Sequence, residues 1–447
     1  MKVSAQSLPF PSVRGKVVSS DFDGGDITSD CGALLVGRAD DRIGLISALA
    51  DQVIDARQSS KVRHTVESLL RQRVVAIACG YEDANDFDTL SSDPAIKLAC
   101  GRAPKSDLDL GSQPTLSRFE NSVSKKDVAS MGYAIARCVV AQLPARTRQV
   151  VLDIDAYEDP CHGQQEFEFF NGYYNSHCYV PLALYVTGPD GVQRLIGAIL
   201  RTGKGGSAGV QSAIEIAVGA IRERFPRTKI ILRADCGFGN ADVLWLCDKL
   251  RISYALGLSS NERLQVLSMR TQMQACWLYT FGKQRWADQG VCRAFAGFDY
   301  KAGTWERARR VIIKAEITNG ELNPRFIVSN LPFPAQKAYG FYCGRGDIEN
   351  RIKEFKLDLY AGRTSCHRFI ANQFRLLLHA AASVLMTAIQ EAAKGTDLAK
   401  AQAGTIRLRL LKLGARVVET SRRVWVHMSS SFPNKYAWTA VYAALGP

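Results

Sequence analysis

Apolar positions in the first third of the chain recur at helical intervals. Val66, Leu69, Leu70, Val74 and Ile77 fall three or four residues apart, which predicts an amphipathic helix, and Ser29 and Ser124 stand where helix N-caps are wanted. Turn-forming residues at 80–88 and 91–94 separate short helical stretches, so the region reads as helical up to about residue 145. The period changes at Gln149. Apolar runs at 149–155, 177–186 and 193–201 predict three strands, and the glycine-rich turn Gly203-Lys204-Gly205-Gly206-Ser207 leads into a helix over 209–225. A strand at 229–235, a helix at 240–251 and a strand at 252–258 follow, giving the order β-β-β-α-β-α-β and hence a mixed sheet covered by helices.

Strand-like patches at Trp277–Phe281, 310–317 and 325–328 then predict a β-rich insertion over 259–338. Helical periodicity resumes at 339–359, a long apolar helix is expected over 367–393, and 405–428 alternates like a β-hairpin. Asn372, Gln373, Arg375 and His379 interrupt the most apolar stretch, which makes it a buried helix and not a membrane span. No apolar run follows Met1-Lys2-Val3-Ser4, so a secretory leader is not expected and a cytoplasmic location is.

Composition narrows the class. Of 447 residues 47% are apolar and 22% charged, which excludes disordered and collagen-like chains. The formal charge of +14 favours a polyanionic partner, and residues 351–447, with 15 Lys and Arg against 5 Asp and Glu, hold most of the excess. Twelve irregularly spaced cysteines without a Cys-x-x-Cys pair and six scattered histidines write no zinc ribbon or thioredoxin motif. Gly203–Ser207 lacks Walker spacing and reads as a flexible turn whose Lys204 is a candidate DNA-backbone contact; Trp245 and Trp277 are candidate base-stacking residues, with core packing the better reading of Trp245.

Candidate chemistry begins with two carboxylates at strand ends. Asp155 ends an apolar strand and Asp235 ends another, just before Cys236-Gly237, and open α/β sheets place ligands at such ends. Taken singly, either acid would serve equally as a turn or helix cap. Together they could share a hard cation such as Mg²⁺ or Mn²⁺. A third group lies downstream, where Tyr342, Arg345, Glu349 and Lys356 stand at offsets of 0, 3, 7 and 14 and so share one helical face: a carboxylate among a phenol, a guanidinium and an ammonium suited to phosphate oxygens.

These four residues match the Tyr-x2-Arg-x3-Glu-x6-Lys signature of DDE transposases from bacterial insertion sequences. The chain further resembles the group-one DDE transposases in Leu152-Asp153-Ile154-Asp155, Pro160-Cys161-His162-Gly163-Gln164-Gln165, Phe169-Phe170-Asn171-Gly172-Tyr173-Tyr174 and Leu232-Arg233-Ala234-Asp235-Cys236-Gly237-Phe238. The resemblance implies an α/β fold with a ribonuclease-H-like mixed sheet and flanking helices, interrupted by a β-rich insertion, plus a helical N-terminal domain. Its parts would be a helical DNA-binding region (1–145), the first part of the core (146–258), the insertion (259–338), the second part of the core carrying the signature helix (339–400) and a basic C-terminal segment (401–447).

It also implies a function: metal-dependent cleavage at transposon ends and transfer of the freed 3′-OH into target DNA. Asp155, Asp235 and Glu349 would be the catalytic, metal-holding acids, with Mg²⁺ as cofactor and Mn²⁺ able to substitute, and Tyr342, Arg345 and Lys356 would bind DNA phosphates. The expected partners are terminal inverted repeats, target DNA and further copies of the chain in a synaptic complex, in a nucleoid-associated bacterial protein with no membrane contact. Asp153 competes with Asp155 for the first acid, since both occupy one strand face; Asp155 is preferred because it is nearer the turn. A catalytically silent DNA-binding derivative and a ribonuclease-H-like nuclease without strand transfer are the alternatives.

Overall fold

The computed structural model describes residues 8–206, 208–282 and 290–446. Ser207 and the first four residues, on which the leader expectation rested, lie outside them. The chain divides into two compact units: residues up to 50, 55–122 and from 381 onward form one, and 51–54 with 123–380 form the other.

The first unit is held by both ends of the sequence. A hairpin of Leu8–Val13 and Lys16–Ser20 precedes the helices, and strand Ile27–Thr28 pairs with Ala415–Glu419, which pairs in turn with Val424–Met428. The helical N-terminal region therefore also carries strands. The expected helix at 66–77 forms as Val66–Cys79, capped by Thr65 accepting from Ser68 N at its start and by left-handed Gly80 at its end. Ser29 does not cap a helix; its hydroxyl donates to Asp30. Inside, the Arg73 guanidinium pairs with Glu120 at 2.8 Å, both side chains essentially unexposed. The hairpin begins at Ala415, later than alternation suggested: Ala403–Ile406 is helical and Arg407–Leu411 forms a π turn. Ala403, Ile406, Leu410 and Leu411 are buried at helical spacing while Leu408 is 71% exposed, so burial follows a period near 3.6 and not 2.

The second unit contains an eight-stranded sheet. Its strands, in chain order, are β1 (Gln149–Ala156), β2 (Leu182–Thr187), β3 (Gln193–Ile199), β4 (Lys229–Ala234), β5 (Ser253–Leu258), β6 (Val291–Tyr300), β7 (Arg309–Thr318) and β8 (Glu321–Ser329), arranged β6-β7-β8-β5-β4-β1-β2-β3. β4 runs parallel to β1 and β5, and every other pairing is antiparallel. The helices are α1 (Lys125–Ala141), α2 (Val210–Arg224), α3 (Ala241–Lys249), α4 (Glu262–Phe281), α5 (Ala335–Cys343), α6 (Asp347–Lys353) and α7 (Phe369–Ala392), the last running on into the first unit. Ser124 caps α1 in a capping box with Asp127, as its position suggested.

Two expectations change here. The stretch expected to be β-rich contains the 20-residue helix α4, which takes in the Trp277–Phe281 patch, and its strands β6–β8 extend the main sheet beyond β5. A five-residue apolar run cannot distinguish strand from helix, whereas the Asn261 cap accepting from Leu264 N and buried Leu264, Ser268, Thr271 and Ala275 set the helical period. Trp245 on α3 is 45% exposed rather than packed in the core, with the Lys249 ammonium 5.1 Å from its ring.

Polar residues in the first half of α7 bond to backbone groups of the second unit. Gln373 accepts from Leu200 N and donates to Ala198 O, Asn372 bridges the backbone of Cys366, and His379 Nδ1 donates to Leu359 O at 2.7 Å. The helix is long and apolar enough to cross a membrane, yet 72% of its apolar window is buried inside the protein, as a core helix is.

Two buried carboxylates fix the region around the end of β1. Asp153, with no exposure, makes a bidentate pair with Arg233 directly across from it on β4, at 2.7 and 2.8 Å, and Arg233 also donates to Phe341 O on α5. Asp159, equally buried, accepts from Thr364 Oγ1 at 2.6 Å, while Gln165 donates to Thr364 O and Tyr157 to Ala361 O. These bonds tie the loop after the signature region to the segment after β1. The second oxygen of Asp159 has no hydrogen-bond partner among the described residues.

Removing one partner of a buried, bidentate pair strands the other charge. Asp153→Ala is therefore expected to cost about 3–5 kcal/mol in chemical denaturation, and Asp155→Ala, at a partly exposed site, much less. Equal losses would refute that assignment of roles. Burial pushes the Asp159 carboxyl up to about 7, with Thr364 and Lys356 only partly opposing it. Its folded value lies above the unfolded one, so its contribution to stability is full below about pH 4 and is lost as pH rises through 7. From pH 5 to pH 8 the protein should lose about 2–3 kcal/mol that an Asp159→Asn variant does not lose, measured by denaturant titration at both pH values.

Candidate active site

β1 and β4 lie side by side in parallel, with Ile154 paired to Ala234, so the next residue on each strand, Asp155 and Asp235, emerges at the same level of the sheet's carboxyl edge. Asp235 opens a 3-10 turn over Cys236–Phe238, and its Oδ1 accepts from Gly237 N at 2.9 Å. Asp155 sits at the end of β1, its side chain 16% exposed, and accepts from its neighbour's amide, Ala156 N.

The signature residues approach this edge from α5 and α6. These are not one continuous helix: α5 ends at Cys343, a 3-10 turn covers Gly344–Gly346, α6 begins at Asp347 and a π turn covers Glu354–Asp358. Offsets of 0, 3, 7 and 14 therefore do not project from one regular face. Two glycines weaken the helix here, and Gly344 is needed where it is, because a Cβ would collide with the Arg233 guanidinium.

Arg345 joins the pieces. Its guanidinium pairs with Asp155 at 2.9 Å and with Glu349 at 3.5 Å, and its charge opposes the rise that burial gives the Tyr342 phenol. Gly257 on β5 is required by the turn that follows Asp235, since a Cβ there would lie 2.6 Å from Cys236 N and 2.8 Å from the Asp235 carbonyl carbon, and the Tyr342 hydroxyl would stand 2.8 Å from the same point. Burial raises the Tyr342 phenol, and the charge of Asp235 raises it further. Burial likewise pushes Asp155 up to about 6, with the charges of Asp235 and Glu349 adding to the effect and Arg345 opposing it. Asp155, Asp235, Glu349, Tyr342 and Arg345 are thus gathered in one electrostatic group.

Lys356 is placed differently. Its stem runs along Gly362, where a Cβ would stand 3.3 Å from Cγ and 3.8 Å from Asp159 Oδ1, and its charge acts on buried Asp159. Asp153 does not join the acids, because Arg233 occupies both of its oxygens.

Arg201 is a further charged group beside this edge. It follows β3, donates to Val180 O at 2.8 Å and to Gly206 O at 2.6 Å, and burial lowers it to about 10 against the raising influence of Tyr174 and Asp235. A lone arginine after a strand carries no signal of its own. Lys204 rests over the Phe169 ring at 4.6 Å, and Gly203 is required because a Cβ would strike the carbonyls of Phe169 and Cys178. His162 is exposed.

The donor chemistry fits a hard cation: three carboxylates, two of them raising the pKa of the third, carry negative charge that a divalent ion would offset. As the side chains stand, no three His, Cys, Asp or Glu among the described residues are close enough to hold one ion, and the Arg345 guanidinium bridges Asp155 and Glu349.

No curated protein matches the chain. Among solved structures it is similar to piggyBac transposase in a synaptic complex with hairpin DNA, determined by cryo-electron microscopy, at 11% identity and a TM-score of 0.42 over 91% of this chain and 82% of that one. A family model described as Transposase DDE domain group 1 matches residues 10–447, nearly the whole sequence, and the chain therefore belongs to the group-one DDE transposase family.

Proposed function

We propose that this chain cleaves DNA at the ends of a bacterial insertion sequence and joins the freed 3′-OH to target DNA. The observation that carries the reading is the meeting of Asp155 and Asp235, from the ends of neighbouring parallel strands, with Glu349 through the Arg345 guanidinium. The strand order β3-β2-β1-β4-β5, antiparallel through β1 and parallel from there, supports a ribonuclease-H-like core.

In this reading Asp155, Asp235 and Glu349 hold Mg²⁺, or Mn²⁺ in its place. When bound, the metal supplies Lewis-acid polarisation of the scissile phosphate and a readily deprotonated water. The chain's own cations do the positioning. Arg345 offers a planar fork that suits phosphate oxygens, and it would be free to turn to the DNA once its pairs with Asp155 and Glu349 are released. Tyr342, wedged against Gly257, presents its hydroxyl beside Asp235, and Lys356 carries its ammonium along the neighbouring wall. Asp155 is preferred over Asp153 as the first acid because Arg233 already satisfies Asp153.

The helical N-terminal region, up to about residue 145, is assigned to binding terminal inverted repeats, and the +14 charge with its C-terminal excess suits a DNA partner. The stretch 259–338 is read as the insertion within the core, copies of the chain act together in a synaptic complex, and the protein works at the nucleoid.

Purified protein incubated with labelled end DNA and Mg²⁺ should yield nicked and strand-transfer products. Asp235→Ala and Glu349→Ala should each lower both products at least ~100-fold while end-DNA binding in a mobility-shift assay stays within about twofold. Unchanged products in either variant would remove that residue from the acidic set. Cleavage without strand transfer in the unaltered protein would favour a nuclease.

A further inference from the structure

Helix α4 is built inside out. The side packed against β6 and β7 carries Leu264, Ser268, Thr271 and Ala275, mostly small or polar residues. Its large apolar residues face the other way: Val266, Met269, Met273, Trp277 and Phe281 are 64, 54, 66, 59 and 73% exposed. Their spacing of three, four, four and four residues puts them in one stripe about 22 Å long. A surface helix ordinarily turns polar residues to water. Single exposed apolar residues are common, but five in a line on a helix whose packed side holds serine and threonine mark a surface that something covers.

We propose that a second copy of this chain covers it, α4 lying antiparallel against its counterpart about a two-fold axis at Met273. Apolar residues stand four positions from Met273 on either side, Met269 and Trp277, and the next lie seven positions before it and eight after, Val266 and Phe281. Antiparallel pairing through Met273 sets Met273 on itself, Met269 opposite Trp277 and Val266 beside Phe281, each smaller side chain meeting a larger one. A two-fold contact requires this self-complementarity, and an unrelated partner does not. Arg270 flanks the stripe, and the pairing sets it against the Cys276–Trp277 end of the other helix, so its guanidinium meets a ring and not its own counterpart.

The area is sufficient. With Leu267, 47% exposed at the stripe's edge, six side chains contribute roughly 100 Å² each, or about 1,200 Å² over both copies, the lower bound for a specific interface. DNA is a poorer occupant, because phosphates call for a row of cations and the stripe itself has none. The proposal deepens the multi-copy part of the proposed function by naming a contact surface, and it survives failure of the catalytic part.

Sedimentation of the full chain at micromolar concentration tests it. The unaltered protein should run at twice its 49.1 kDa mass, and a Met273→Glu/Trp277→Glu double variant as a monomer with unchanged far-UV circular dichroism, its dimer weakened at least ~100-fold. In a Cys276→Ser background, Met273→Cys should form an intermolecular disulfide on mild oxidation, and Arg263→Cys should give no more cross-linking than the background. A monomeric unaltered protein, a dimer that persists in the double variant, or a dimer that Met273→Cys fails to cross-link would each overturn the proposal. If the unaltered protein is monomeric and the double variant loses DNA affinity instead, the stripe belongs to nucleic acid and the proposal is likewise wrong.

Discussion

Two opposite charges buried between neighbouring strands govern what happens at the carboxyl edge of the sheet. Asp153 and Arg233 face one another across β1 and β4 and exchange two hydrogen bonds, which neither could replace with water. That contact pins the register of the two strands. A slip of one residue would turn each strand's side chains to the opposite face, and Asp155 would no longer stand level with Asp235. The same guanidinium reaches Phe341 O, so the helix that brings Tyr342 is held by the bond that aligns the acids. Gly344 and Gly257 are the complementary omissions, each leaving room where a side chain would strike one of these groups.

Much of this arrangement could be read from the sequence. Order β-β-β-α-β-α-β follows from changes in apolar period, and it places Asp155 and Asp235 at strand ends. What failed to show was whatever depended on partners distant in sequence. Trp277–Phe281 looked like a strand because five apolar residues carry no period, and only the buried faces of Leu264 through Ala275 resolve it. Thr405–Leu410 alternated like a strand, yet its leucines divide between burial and solvent. The signature spacing suggested one regular helix; a 3-10 turn and a π turn interrupt it, since contacts with β1, β4 and β5 outweigh local propensity. Arg201 and Asp159 had no local signature, being defined by burial and by backbone groups far along the chain.

Charge crowding ties the geometry to the chemistry. Three acids at one edge would repel one another, and Arg345 relieves that by pairing with two of them. Under the proposed function, affinity for metal and for phosphate would depend on how readily one guanidinium changes partners. Buried Asp159 brings Lys356 into the same balance, since burial raises its carboxyl to about 7 and the Lys356 charge pulls it back down.

The pairing of Ile27–Thr28 with Ala415–Glu419 has a consequence for biosynthesis. Vectorial synthesis releases the residues carrying the acids, 123–380, as one uninterrupted stretch, while the opening segment emerges without the strand that completes its sheet. At roughly 5–20 residues per second, the ribosome keeps that segment waiting for about 20–80 seconds until residues near 415 emerge. During that interval its unpaired β-edge is open to chaperones and to neighbouring nascent chains.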